Sequence, residues 1–147
     1  ARLIGVEPSR VMREAAAAAF RRHDVDARLI AGTAEGLSTA SLGLPAGADH
    51  VLFSYVLSMV EGPAQAVAQA LALLRPGGTL HIVDFADMAG MPRTAAGALR
   101  RWLGWFEVTP RPDAAERLEL LAAGGHGRLE RRRLLGGYAE LLRFRLA

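Results

Sequence analysis

The chain has 147 residues, 51% hydrophobic and 22% charged, a balance that supports one folded domain with its own core and excludes a disordered polymer. It contains no cysteine, which removes disulfides, thiolate nucleophiles and cysteine-bound zinc, and no run nears the roughly 20 apolar residues of a membrane span. The net charge is +3 and all 18 basic residues are arginine, which beside so much alanine reads as high-GC codon usage, although a basic excess also attracts anionic lipid or nucleic acid. Arg131, Arg132 and Arg133 have no interleaved aromatics, so a nucleic-acid partner is not expected.

Ala1 carries neither an initiating methionine nor a signal peptide and reads as a cut end. Leu3 to Val6 is a short apolar run ending at Glu7-Pro8-Ser9, which predicts a buried strand entering a helix capped by Ser9 and carried by Val11 to Arg22. Ala27 to Ala31 predicts a second strand closed by Gly32, and a loop rich in Gly, Ser and Thr follows from Gly36 to Gly47. Val51 to Tyr55, led by Asp49 and His50, is continuously apolar and predicts a strand covered on both faces. Pro63 starts a helix through Leu74, Arg75-Pro76-Gly77-Gly78 breaks it, and Thr79 to Phe85 is the fourth strand. Helical periodicity returns from Pro92 to Phe106 and from Pro112 to Ala123, and Leu129 to Leu146 predicts two strands around Gly136-Gly137. The alternation predicts an α/β fold in one domain, residues 1–147, with a parallel sheet, helices on both faces and a terminal antiparallel hairpin.

In open α/β sheets ligands sit beyond the carboxyl ends of the strands. Glu7 stands at one such end, where a carboxylate can accept two hydrogen bonds from a ribose diol or can cap the next helix. Thr33-Ala34-Glu35 offers small residues and backbone N–H groups for a planar base, or forms an ordinary turn. Ser54 and Tyr55 place two hydroxyls at the rim, and Asp84 can orient a cation, accept a proton or cap the segment after it. A hairpin whose first strand runs parallel to the sheet would bring Gly136-Gly137-Tyr138 to the same rim. His23, His50, His81 and His126 lack metal-ligand spacing, and neither a nucleophile elbow nor a phosphate-binding glycine loop is present.

These pieces resemble, in order, the class I S-adenosylmethionine-dependent methyltransferases. Ile4-Gly5-Val6-Glu7-Pro8-Ser9 with Met12 is similar to the family's second strand and ribose-binding acid, and Ala31-Gly32-Thr33-Ala34-Glu35-Gly36-Leu37 to its adenine-cradling segment. Ala48 through Leu57 is similar to its fourth strand, and Leu74-Arg75-Pro76-Gly77-Gly78-Thr79-Leu80 to the turn into its fifth. A narrower resemblance, to bacterial betaine-lipid methyltransferases acting on diacylglyceryl-homoserine, rests on four blocks. They are Ser54 to Met59, His81 to Phe85, Trp102-Leu103 with Phe106 to Arg111, and Gly137-Tyr138-Ala139.

The resemblance implies a Rossmann-like methyltransferase sheet without its first strand, whose glycine loop is expected upstream of Ala1 and whose place lies between the strands ending at Glu7 and Tyr55. It implies S-adenosylmethionine held by Glu7, Pro8, Ser9, Met12, Thr33, Ala34, Glu35 and Ser54. Catalytic roles would fall to Ser54, Tyr55, Asp84 and Tyr138. Thr33 stands where many relatives have aspartate, which weakens the expected bond to the adenine amino group. The acceptor implied is a lipid or small-molecule amine, in a cytoplasmic protein with peripheral contact at the inner membrane face. The stretch from Met88 to Phe106, with Met91, Trp102 and Trp105, is either an apolar cover for acyl chains or a helix packed on the sheet. Transfer of a 3-amino-3-carboxypropyl group, an NAD-type oxidoreductase with an upstream glycine fingerprint, and an inactive fragment are the alternatives.

Overall fold

The computed structural model describes residues 2–105 and 112–147. Two strands, β1 (Leu3–Val6) and β2 (Ala27–Ile30), pair in parallel, with Leu3 opposite Ala27 and Val6 opposite Ile30. Helix α1 (Arg10–Arg22) joins them. Its N-cap is Ser9, whose hydroxyl accepts from the Met12 N–H at 3.4 Å, and Arg21 and Arg22 oppose the negative end of the helix dipole. No α1 residue is buried, and Val11 and Met12 are 70% and 58% exposed. The first strand was expected to be buried; Leu3 is instead half exposed, because β1 pairs on one edge only among the described residues.

The main sheet has the order β3-β4-β6-β5, built from β3 (Ala48–Ser54), β4 (Leu74–Phe85), β5 (Gly127–Leu134) and β6 (Ala139–Leu146). β3 and β4 are parallel, while β6 is antiparallel to both β4 and β5. The two-residue period sends Phe53, Leu80, Ile82, Leu142 and Phe144 to one face. Helix α3 (Pro63–Leu73) covers that face with Pro63, Ala66, Val67, Ala70 and Leu73, spaced at the helical repeat. Helix α5 (Pro112–Ala123) adds Ala114, Ala115 and Leu118. The small alanines bring backbone close to the sheet, and side chains such as Leu80, Leu118 and Phe144 are fully buried, each contributing about 1.5–3 kcal/mol.

His50, Leu52 and Ser54 point to the opposite face, where Leu52 is 64% exposed. The expectation that the third strand is covered on both sides is thereby corrected. Continuous apolarity records side chains, whereas cover depends on which elements pack over them.

Two local differences accompany this. Leu74 already pairs with Ala48, so Arg75 to Gly78 is an irregularity inside β4 rather than a break before it, with Gly77 at φ +74°. The expected loop from Gly36 to Gly47 contains a short helix, α2 (Thr39–Leu42), closed by reciprocal bonds between Ser38 and Ser41. Guanidinium bonds tie this region to the small sheet, from Arg2 to the Gly43 carbonyl at 3.1 Å and from Arg28 to that of Leu42 at 3.5 Å. Helix α4 (Arg93–Gly104) buries Ala96 and Leu103 against Met88, with Phe85, Met91 and Leu99 around them. The expected extension of this helix to Phe106 lies outside the described residues, as does the block from Phe106 to Arg111.

Candidate functional site

Parallel pairing puts the ends of β1 and β2 together, and the Glu7 N–H donates to the Ile30 carbonyl at 3.1 Å. After β2 a single 3-10 turn, Ala34–Gly36, reaches the start of α3, and Ala34 packs on the core that holds Phe53 and Leu57. The carboxyl ends of β2 and β3 therefore share one margin. β5 runs parallel to β4, so the Leu135–Gly137 turn joins that margin too. The segment after β4 is laced to this turn, with Ala86, Met88 and Gly90 donating to the carbonyls of Tyr138, Gly137 and Gly136 at 3.1, 2.8 and 3.0 Å.

The carboxylate of Glu7 is half committed. One oxygen accepts from the Ser9 N–H at 2.9 Å, as a cap would, and the other has no partner among the described residues. Arg13 braces the same turn by donating to the carbonyls of Glu7 and Pro8 at 2.8 and 2.7 Å. Ser9 is occupied as the N-cap, Pro8 and Met12 are exposed beside it, and Thr33 makes no capping bond with its side chain. Glu35 lies against Gly62, just before α3.

At the other half of the margin Ser54 is exposed, and Tyr55 follows at φ +54°, a left-handed conformation costly for a bulky side chain. A bond of 2.7 Å from the Tyr55 N–H to the Val83 carbonyl holds it there. Met88 and Leu135 are also left-handed, at φ +59° and +50°, so three of the four non-glycine residues at positive φ among the described residues lie on this margin, the fourth being Asp24 after α1. Tyr55 just after β3, Phe85 at the end of β4 and Tyr138 just before β6 form a row of rings, with centroids 4.9 and 5.5 Å apart and the second pair edge to face. The hydroxyls of Ser54, Tyr55 and Tyr138 have no hydrogen-bond partner among the described residues.

Asp84 is placed differently from its neighbours. It is 8% exposed and points to the helix-covered face. Its oxygens accept from the N–H groups of Ser58 at 3.0 Å and Phe85 at 2.8 Å, so the carboxylate fastens the loop after β3 to the end of β4.

Three features escaped sequence reasoning. Phe85 bridges the two tyrosines, which depends on strand register. The buried Ser58 hydroxyl lacks a partner among the described residues, and nothing in the sequence distinguishes it from other serines. His50 and His81 approach to 3.2 Å between Nδ1 and Nε2 on the open sheet face, although 31 residues separate them. Loss of hydration, then the charges of His50 and Arg143, hold His81 below the ordinary histidine value of 6.5. Among the described residues no group of three or more His, Asp or Glu side chains forms a metal site. A shallow depression of about 410 Å³ lies at the opposite margin, among Gly77, Gly125, Gly127 and Arg145, and none of Glu7, Tyr55 or Tyr138 lines it.

The family model described as "Methyltransferase domain" matches residues 1–82, more than half of the chain. The chain belongs to this family. Solved structures place nearly the whole chain in one fold. An O-methyltransferase family protein from Burkholderia thailandensis aligns with TM-score 0.68 and 19% identity over 99% of this chain and 43% of that one. The N-methyltransferase NodS from Bradyrhizobium japonicum, in complex with S-adenosylhomocysteine, gives 0.64 and 20% over 99% and 66%. A SAM-dependent methyltransferase from Thermotoga maritima gives 0.63 and 20% over 97% and 72%. The chain thus spans between 43% and 72% of the length of these three structures. Among curated proteins, none matches it.

Proposed function

We propose that this chain is part of an S-adenosylmethionine-dependent methyltransferase that acts on an amino group, with a lipid head group such as diacylglyceryl-homoserine as acceptor. The observation that carries the reading is the set of polar groups left unsatisfied along one margin. They are the second oxygen of Glu7 and the hydroxyls of Ser54, Tyr55 and Tyr138. The donor set fits an adenosine: an acid for a ribose diol, then Thr33-Ala34-Glu35 with small side chains beside a base. Pro8, Ser9 and Met12 close the ribose side and Ser54 the reaction side.

When bound, the cofactor supplies a methyl group already activated on a sulfonium, which leaves the protein the tasks of alignment and exclusion of water. Tyr55 and Tyr138 would orient the acceptor's head through their hydroxyls. An amine gains positive charge as it is methylated, and the aromatic rings of Tyr55, Phe85 and Tyr138 would stabilise such a cation. Asp84 would act indirectly, by holding the loop that follows Tyr55. NodS, an N-methyltransferase of the same fold, supports transfer to nitrogen; the sequence blocks shared with betaine-lipid methyltransferases support the lipid.

Calorimetric titration with S-adenosylmethionine and S-adenosylhomocysteine tests the reading. Saturable binding by the chain and its loss in Glu7→Ala are expected, whereas binding weaker than millimolar would overturn the reading for this chain.

A further inference from the structure

Strand register gathers arginines on the open face of β5 and β6. Leu129 pairs with Phe144 and Arg131 with Leu142, so these residues face the helices. The alternate set, Arg128, Glu130, Arg132, Arg143 and Arg145, points the other way. Arg128 lies directly opposite Arg145, and Arg143 directly opposite Glu130. Like charges in that relation repel and unlike ones attract. Glu130 compensates Arg143 at 3.4 Å, whereas the guanidiniums of Arg128 and Arg145 have no hydrogen-bond or ion-pair partner among the described residues. Protection of a sheet edge explains basic residues on β5, the outer strand. It does not explain Arg143 and Arg145, because β6 is paired on both sides. Arg128, Glu130, Arg143 and Arg145 line one hollow of about 110 Å³. Arg128 and Arg145 also wall the neighbouring depression of about 410 Å³, where Gly77, Gly125, Gly127 and Leu146 join them and no carboxylate side chain does among the described residues.

We propose that the Arg128–Arg145 pair is a binding site for a phosphomonoester, with the phosphate in the smaller hollow and the body of the ligand over the glycines. Charge balance selects this chemistry. Two uncompensated guanidiniums match a dianion, and a phosphomonoester carries roughly −1.5 to −2 near pH 7. Guanidinium forks fit phosphate oxygens through paired N–H donors, and Arg143, lining the same hollow, supplies a third fork. A phosphodiester carries a single charge and would leave part of the repulsion in place. Beyond the phosphate the walls are small and apolar, which suits an uncharged body rather than a second anionic group. The site lies at the margin away from Glu7, Tyr55 and Tyr138, so it does not depend on the methyltransferase reading.

Calorimetric titration of the chain in phosphate-free buffer tests this with phenyl phosphate and its two halves, inorganic phosphate and phenol. Phenyl phosphate should bind at one site and more tightly than inorganic phosphate, and phenol should give no measurable binding. Arg128→Gln/Arg145→Gln should weaken phenyl phosphate binding by about tenfold or more for each arginine removed, the scale of a charged hydrogen bond. Relief of the cross-strand repulsion gives a second readout. Without ligand the double variant should melt no lower than the parent, and phenyl phosphate should raise the midpoint of the parent alone. Arg93→Gln/Arg101→Gln, which removes the same charge from α4, should bind like the parent. Equal affinity for inorganic phosphate, undiminished binding by the Arg128/Arg145 variant, or an equal loss in the α4 variant would overturn the proposal. So would a midpoint shift that sodium chloride of the same ionic strength reproduces.

Discussion

At the scale of single residues, electrostatics and backbone strain set the chemistry of the margin and of the open face. His50 and His81 share a contact that needs one neutral ring to accept, and the fold keeps His81 below its ordinary value. In the unfolded chain His81 takes up a proton near 6.5; in the folded chain it resists until lower pH. The unfolded state therefore binds more protons between those two values, and stability falls as pH drops through that window. We expect the urea midpoint to fall between about pH 8 and about pH 5, and to fall less in His81→Gln. Asp49 and Asp87 do not confound this comparison. Arg75 lowers the first, and the Ala89 N–H, then Arg133, lower the second, so their contributions vanish only below 3.8. An identical acid response in parent and variant would show that the pair is not the origin. The tyrosines and Glu7 were legible as polar residues at strand ends. The histidine pair was not, because it depends on registering β3 against β4.

At the scale of elements, the hairpin turn and the segment after β4 act as one unit. Gly136 sits at φ +65°, and a side chain built on Gly90 would lie 3.0 Å from the Gly136 carbonyl. Two glycines therefore allow two backbones to touch where any Cβ would separate them. Gly136→Val should destabilise the chain by about 1 kcal/mol or more, as a β-branched residue is forced left-handed against Gly90. On the proposed reading, in which Tyr138 orients the acceptor while Glu7 and Thr33 hold the cofactor, methyl transfer should fall while cofactor binding persists; chemical denaturation and titration read the two effects separately. Element limits were legible where proline or a cap marks them, as at Ser9 and Pro63. Helix α2 was not, since four residues are too few for a hydrophobic period and its Ser38–Ser41 closure resembles a loop.

At the scale of the whole molecule, the chain holds two sheets rather than one, with β1 and β3 each paired on a single side among the described residues. Leu3 is 51% and Leu52 64% exposed near those edges, whereas β5, the outer strand at the far end, carries Arg128, Arg131, Arg132 and Arg133. Charged edges resist pairing with other chains, and apolar ones invite it. Light scattering should show reversible self-association of this chain that rises with concentration, and Leu52→Lys should shift it toward monomer. A concentration-independent monomer in the parent would refute this.

By itself the sequence determined the strands, most helix boundaries, the α/β order and which polar residues close each strand, because these follow from hydrophobic period and turn chemistry within short windows. Tertiary structure alone decided which sheet face is open, that Asp84 turns inward to fasten a loop, and that Phe85 joins two distant tyrosines. Those outcomes arise from register and packing between segments far apart in the chain, and no local pattern encodes them.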